Sequence, residues 1–487
     1  MSTLAWRIKS SFTSDAKYLS FISLFVLTVV VLYHFGISLI LSLVFIFVIT
    51  VFLITLRYPK FGLYLLIFNL PLNKYIPLFG VGRDSFSVSV NEVLLLILLS
   101  AIVLKKLFTG KITFPDSKLN RPIFLLLLFN VFGLLRAFAD LSQSDYIKCW
   151  LYFFLWAEYF LIYFLILDLV SSKKEVKIIL YLMILSGLLT VVSAFYQQIA
   201  GTTLRSIGSI SETGKTQYRL ISAFGFYSND FGAYLLVVLS ILLNLYFYVI
   251  KQKRRLVLIL ILPTLYTLFF TFSRGGILGL IALIIFLLIL RKEHRKKIVI
   301  YSLFIVIISS FILTPVFVRW ANTSYVKKGG QIILKKNISE RLAQWEASLD
   351  QFAKHPLIGK GFHTYHYREL DYQSHFGIFK YIGHAHNVYL RLLIESGIFG
   401  LAAFIAMIYI IYSNAFSMLK YKISKEFELM IYIVLSSFSA FLVVAMTESI
   451  LTVGRVTGPV FALIGLMVVM SRIEISNNEK LIHAKTI

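Results

Sequence analysis

The sequence predicts an all-α polytopic integral membrane protein with about fourteen transmembrane helices and one long external loop. Three observations carry that prediction. The chain of 487 residues is 59% hydrophobic and 16% aromatic, with a mean hydropathy of +0.83, and a soluble domain could not hide so much apolar surface. Apolar runs of about 17–25 residues, long enough to cross a bilayer, recur along nearly the whole length. The basic residues cluster in the short segments between those runs.

Taken in order, the spans are expected at about 18–33, 37–56, 61–79, 89–105, 122–139, 149–169, 177–199, 230–250, 256–272, 275–290, 298–318, 387–412, 427–447 and 456–471. The third is interrupted by Pro71, Asn73, Lys74 and Pro77. Arg7, Lys9 and Lys17 precede the first run without a small-residue cleavage site, so an uncleaved first span is expected. The chain is organised as N-terminal spans 1–200, a core 201–472 that includes the long loop, and a cytoplasmic tail 473–487.

Orientation follows from Lys and Arg. With a cytoplasmic N-terminus, "RYPK" (57–60), "KKLFTGKITFPDSKLNR" (105–121), "SSKKEVK" (171–177), "KQKRR" (251–255) and "RKEHRKK" (291–297) all face the cytoplasm. Cytoplasmic segments then hold about 28 Lys and Arg and the short external ones about 8, which puts both termini inside. This distribution also accounts for the net charge of +25; no nucleic-acid-binding motif accompanies it, and no nucleic-acid partner is expected. The single cysteine, Cys149, rules out an intrachain disulfide or a cysteine zinc site.

One connection breaks the pattern. Residues 319–386 form an external loop of 68 residues with ten Lys and Arg, five Asp and Glu, and six of the nine histidines. Loops of that length are uncommon unless they are functional. Inside it, Ile338, Leu342, Trp345, Leu349 and Phe352 fall at helical spacing, with Asn337 as the expected cap and Pro356 as the stop. "IGKGFHTYHYRE" (358–369) follows as a glycine-punctuated turn.

Polar chemistry gathers on the same side. Arg274 in "FTFSRGGILGL" (270–280) sits at a hairpin tip between spans of 16–17 residues, expected to be recessed below the outer surface. Arg219 opens "RLISAFGFYSNDFGAYL" (219–235), with Asn229 and Asp230 at the following helix start. In "GHAHNVYLRLLIESG" (383–397), His384 and His386 precede a helix on which Asn387, Arg391 and Glu395 share one face, and Arg391 and Glu395 are spaced to pair. Glu158, mid-way along its span, has no evident role. Each feature alone has a plainer alternative: a snorkelling arginine at Arg274, a surface arginine and an N-cap at Arg219 and Asn229, surface imidazoles at His384 and His386. Together, two arginines suit a phosphate or pyrophosphate and a histidine suits proton transfer near neutral pH.

Four segments resemble one family. "HNVYLRLLIESGIFGL" (386–401), "SRGGILGL" (273–280), "RLISAFGFYSNDFGAYL" (219–235) and "RLAQWEASLDQFAKHPLIGKGFHTY" (341–365) are similar, in order, to the signatures of the bacterial O-antigen ligase and polymerase superfamily. Ser228 stands where that family usually has proline before Asn229, and the first 200 residues match only as generic spans. The resemblance implies a GT-C-like, inverting, metal-independent glycosyltransferase without cofactor. It would act on an undecaprenyl-pyrophosphate-linked glycan donor at the outer face of the bacterial inner membrane. The acceptor would be a glycan or lipid A–core, and a chain-length regulator would be an accessory partner. It further implies that Arg219 and Arg274 hold the pyrophosphate and that His386 is the base, with His384 as substitute or orienter. Asn387, Arg391 and Glu395 would be supports. Two guanidinium groups suffice for the charge, since the segments lack the carboxylate cluster that a magnesium or manganese ion needs. Polymerisation of repeat units leads; transfer of a finished glycan to an acceptor is the near alternative. A lipid-linked oligosaccharide flippase is the distant one, since transporters place their charges near the midplane in matching halves.

Overall fold

The computed structural model describes residues 39–73, 75–79, 86–110, 114–200, 220–222, 224, 227–307, 325–328, 331–334, 336–364, 372–374, 377–379 and 385–485. The chain divides into two compact units: Met1–Leu65 with Val93–Ile112, and Leu66–Glu92 with Thr113–Ile487.

The first unit contains α1 (Leu39–Arg57), the start of α2 (Pro59–Asn69) and most of α3 (Val90–Thr109). Pro59 opens α2, as proline does at a first helical turn where its missing N–H has no role. Gly62 lets α2 lie against Thr55 and Leu98, and Leu63 and Leu98 are fully buried there.

The expected third span is not one. α2 has 11 residues, about 17 Å at 1.5 Å per residue, far short of a bilayer core of about 30 Å. A 3₁₀ turn, Leu70–Leu72, follows it, and then an antiparallel hairpin of β1 (Tyr75–Phe79) and β2 (Phe86–Ser89). Proline at 71 and polar Asn73 end the helix, as their positions in the sequence suggest.

In the second unit the remaining helices are α4 (Asn120–Ala137), α5 (Gln143–Leu169), α6 (Lys173–Ile199), α7 (Ser228–Tyr248), α8 (Lys251–Phe270), α9 (Arg274–Leu290), α10 (Lys292–Ile307), α11 (Lys336–Lys354), α12 (Val388–Met418), α13 (Lys425–Val444) and α14 (Gly454–Lys485). Two more small hairpins, β3–β4 (Tyr325–Lys328, Gln331–Leu334) and β5–β6 (Tyr372–Ser374, Gly377–Phe379), lie in the long connection before α12. Among the described residues seven helices are long and apolar enough to cross a membrane: α4, α5, α6, α7, α12, α13 and the Gly454–Ser476 part of α14. α9 and α10 qualify as an eighth only as a pair bent by 106°. The protein is therefore a polytopic helical membrane protein. Residues 473–485, expected to be a tail, continue the helix α14.

Helix starts follow the sequence. Ser142, Ser172, Ser273, Asn387 and Ser424 each accept hydrogen bonds from backbone N–H groups of the first turn, and Ser172 with Glu175 forms a full capping box. α7, α13 and α14 are buried on most faces and form the centre, whereas α4 and α6 leave Phe124, Tyr181 and Val192 more than 60% exposed, as lipid-facing side chains must be.

Antiparallel succession gives this unit two chemically distinct ends. At one, Lys173 meets Glu474 at 3.5 Å, Arg291 donates to the Asn244 carbonyl at 3.1 Å, and Arg472 donates to the carbonyls of Leu167 and Asp116. The opposite end holds the starts of α7, α9, α12 and α14 and the helix α11.

α12 is broken at that second end. Gly397 has φ 66° and ψ −164°, a conformation essentially confined to glycine. The backbone groups that the break frees are met by the turn after α11. Lys360 N donates to Ile394 O at 2.6 Å and Gly361 N to Glu395 O at 3.0 Å, while Ile398 N donates to Pro356 O at 2.8 Å. Gly133 of α4 admits the same turn, with the Gly361 Cα 2.9 Å from where a Cβ would stand. A Cβ on Gly397 would overlap the Leu357 carbonyl. Gly397→Ala should therefore destabilise the fold by about 2 kcal/mol or more, seen as a lowered melting temperature of the detergent-purified protein.

Candidate functional site

The site is assembled at the end of the bundle away from the basic connections. Arg274 is the first residue of α9, just inside its cap Ser273, whose hydroxyl accepts from Gly276 N at 3.1 Å. The Arg274 side chain is exposed. Its neighbour Gly275 backs onto Thr447, whose Oγ1 would lie 2.5 Å from a Cβ there. α8 has 20 residues, about 30 Å, because the charged stretch from Lys251 is already helical. α9 has 17 residues and the apolar part of α8 begins only at Leu256, so both apolar stretches beside the tip are short, as the sequence predicts.

α7 starts beside this hairpin tip, with Gly232 against the Ser273 side chain. Leu220 N donates to Phe270 O at 2.9 Å, tying the segment that follows Arg219 to the same hairpin. Arg219 and His384 themselves lie outside the described residues.

α11 forms where the apolar spacing places it, but its inner face differs. It starts at Lys336, which puts Asn337 in the first turn rather than at the cap. Ala343, Ala347 and Gln351 form the buried stripe, whereas Leu349 is 52% exposed. Small residues face inward because the helix lies close against Ala385, Leu390 and Ile394. Trp345 Nε1 donates to Ala385 O at 2.9 Å, fixing the residue just before His386.

His386 therefore sits between fixed neighbours. Asn387 caps α12, its side chain accepting from Tyr389 N and Leu390 N at 2.9 and 3.2 Å. Val388 N donates to Ala445 O at 2.8 Å. His386 takes φ 45°, and Phe272 at the hairpin tip and His363 in the α11–α12 turn are also non-glycine residues with positive φ. Strained backbone of this kind concentrates at functional sites.

The His386 ring meets a carboxylate absent from the sequence expectations. Nδ1 donates to Glu448 Oε2 at 3.0 Å. The other oxygen, Oε1, accepts from Arg341 at 2.8 Å and from Asn229 Nδ2 at 2.7 Å. Arg341 also donates to Thr447 O at 2.9 Å. Burial pushes the Glu448 carboxyl up, but the hydrogen bond from His386 and the charges of Arg341 and His386 outweigh it and hold it below the ordinary range. Glu448 lies between α13 and α14, outside every quoted motif. Its only signal is that it is an acid within a short apolar connection. Arg341 lies in a quoted motif, but nothing in the sequence says which face it takes.

Arg391 and Glu395 pair as their spacing predicts, Nε to Oε1 at 3.0 Å, with side chains 14% and 4% exposed. Glu395 Oε1 also accepts from His363 N at 2.9 Å, and Arg391 donates to Thr452 Oγ1 at 2.9 Å. The pair thus locks the inserted turn onto the broken helix. Asn387, Arg391, Glu395 and His386 are brought together; Arg274 reaches the same end through a different helix.

Residues 256–405 match the family described as O-antigen ligase. Over that stretch the chain is similar to the O-antigen ligase family. A search of curated proteins finds no match. The matching segment contains Arg274, Arg341, His386, Arg391 and Glu395, while Asn229 and Glu448 lie on either side of it.

Two predictions follow from these pairings. Glu395→Gln leaves Arg391 buried without its counter-charge and should cost about 3 kcal/mol or more, measured as a melting-temperature loss in detergent. Because the folded Glu448 carboxyl lies below its ordinary value of 4.5, its stabilisation is complete above that pH and disappears as pH falls through the folded value. Melting temperature should therefore drop as pH falls below 4.5, and drop less steeply in Glu448→Gln.

Proposed function

We propose that this protein joins lipid-linked repeat units into O-antigen, capsule or exopolysaccharide, taking the growing glycan from undecaprenyl pyrophosphate at the outer face of a bacterial inner membrane. The observation that carries the reading is that Arg274, His386 and the α11 turn, from three separate parts of the O-antigen ligase-like chain, meet at the end of the bundle opposite its basic connections. That charge asymmetry supports a site facing outward and cytoplasmic termini.

The chemistry is a single displacement. An acceptor sugar hydroxyl attacks the anomeric carbon as the bond from that carbon to the pyrophosphate oxygen breaks. Attack from the opposite face inverts the configuration. His386 takes the hydroxyl proton; with Nδ1–H donated to Glu448, the ring lone pair is on Nε2. Negative charge grows on the departing pyrophosphate, where Arg274 and Arg219 suit it, with no step asked of a metal. Asn387, Arg391 and Glu395 hold the helix mouth. His384 is a second imidazole of the same segment. A chain-length regulator would be the accessory partner.

The description of the matching family favours a second reading, transfer of a finished glycan to lipid A–core or another acceptor. The products separate the two. A null strain of the polymerase leaves one repeat unit attached to its acceptor; a null strain of the ligase leaves none attached, with lipid-linked glycan accumulating. Complementing such a strain with Arg219→Ala, Arg274→Ala or His386→Ala should fail to restore long glycan chains. Normal chain lengths with all three would sink the proposal.

A further inference from the structure

Glu448 does more than neutralise a neighbour. Its two oxygens receive three donors from three different segments: His386 before α12, Arg341 on α11 and Asn229 on α7. The hairpin that carries Arg274 packs on the adjacent Thr447. A carboxylate with both oxygens engaged cannot swing, so the imidazole it holds cannot swing either. It also accepts only from an Nδ1–H, which fixes the tautomer.

We propose that Glu448 is the positioning residue for His386. It fixes the tautomer that leaves Nε2 basic and stabilises the imidazolium formed when the acceptor hydroxyl gives up its proton. Arg341 sets how strongly it does so. This rests on the reading of His386 as the base. The step balances without a further reactant: the proton moves from the acceptor oxygen to Nε2, the Nδ1 proton stays between ring and carboxylate, and Glu448 remains ionised throughout.

The surroundings make the carboxylate tunable in both directions. Arg341 on α11 is the cation in direct contact. Asp230 on α7 lies within electrostatic reach of Glu448 and opposes its charge, and Arg455 at the start of α14 acts on Asp230 in turn. Asn229 is neutral, and Arg274 stands one residue from the glycine that touches Thr447. Replacing Glu448 by Gln removes the partner of the imidazolium and offers an amide N–H₂ where only acceptors fit. Replacing Arg341 by Met keeps the carboxylate and strips away its compensating cation.

The test is a pH–rate profile for glycan transfer by the purified full-length protein in nanodiscs, with lipid-linked repeat unit as donor and acceptor. Glu448→Gln should lower the rate by about 100-fold or more at neutral pH and move the acid limb down by about one pH unit. Arg341→Met should move the acid limb up. Glu448→Asp, which keeps the charge but shortens the reach, should recover part of the rate and the wild-type limb. Opposite displacements are the decisive readout, because a purely structural loss lowers the rate without moving the limb. Should Glu448→Gln unfold, the Arg341→Met and Glu448→Asp profiles still decide. A Glu448→Gln or Arg341→Met limb that coincides with wild type, a Glu448→Asp limb displaced as far as that of Glu448→Gln, or a Glu448→Gln rate within twofold of wild type overturns the proposal. If His386→Ala retains wild-type transfer, the assignment of the base itself fails, a result separable from failure of Glu448 alone.

Discussion

A backbone cannot be left unpaired inside a bilayer, and here that requirement is met by a loop. Where α12 breaks at Gly397, the freed carbonyls and N–H groups find partners on the turn Pro356–Gly361. The remaining placements at this end depend on that insertion. The turn is the continuation of α11, so docking it fixes α11; fixed α11 presents Trp345 to the Ala385 carbonyl and Arg341 to Glu448. The ion pair of Arg391 with Glu395 and the His363 N–H then close the turn from the other side. The stretch from α11 to Gly361 is thereby held against the broken helix.

Neutral partners alone would make a poor site. The end of the bundle that gathers Arg274, Arg341, Arg391, His363 and His386 includes within it two well-buried acids, Glu395 and Glu448, each accepting from more than one donor. Arg391 and Arg341 are thus committed to fixed anions. Arg274, by contrast, is an exposed side chain at an otherwise buried helix start, where positive charge from the guanidinium and from the first-turn N–H groups adds.

Much of this could be read from the sequence where the physics is local. Serine and asparagine caps, the i, i+4 pairing of Arg391 with Glu395 and the existence of α11 all follow from spacing within a few residues. What was not legible depends on partners far along the chain. The break at Gly397 leaves "ESGIFGL" looking like an ordinary span, because the hydrogen bonds that sustain it come from a turn about 40 residues earlier. Glu448 reads as an acid in a short connection until α7, α11 and α12 are seen to converge on it. The inward face of α11 is not legible either, because close approach favours Ala343 and Ala347 over the bulkier Leu349, and closeness cannot be read from periodicity. The failed third span shows the reverse: Pro71 and Asn73 marked it in advance.

The two flanking residues bear on how such proteins diverge. The segment that resembles O-antigen ligases ends well before Glu448 and begins after Asn229, yet both side chains are hydrogen-bonded into the His386 and Arg341 cluster. A recombination event that exchanged only residues 256–405 would carry the arginines and the histidine into a new chain and leave their acceptor behind. The heritable unit of this site is therefore larger than its recognisable domain, and a graft that respects sequence boundaries would cut through its hydrogen bonds.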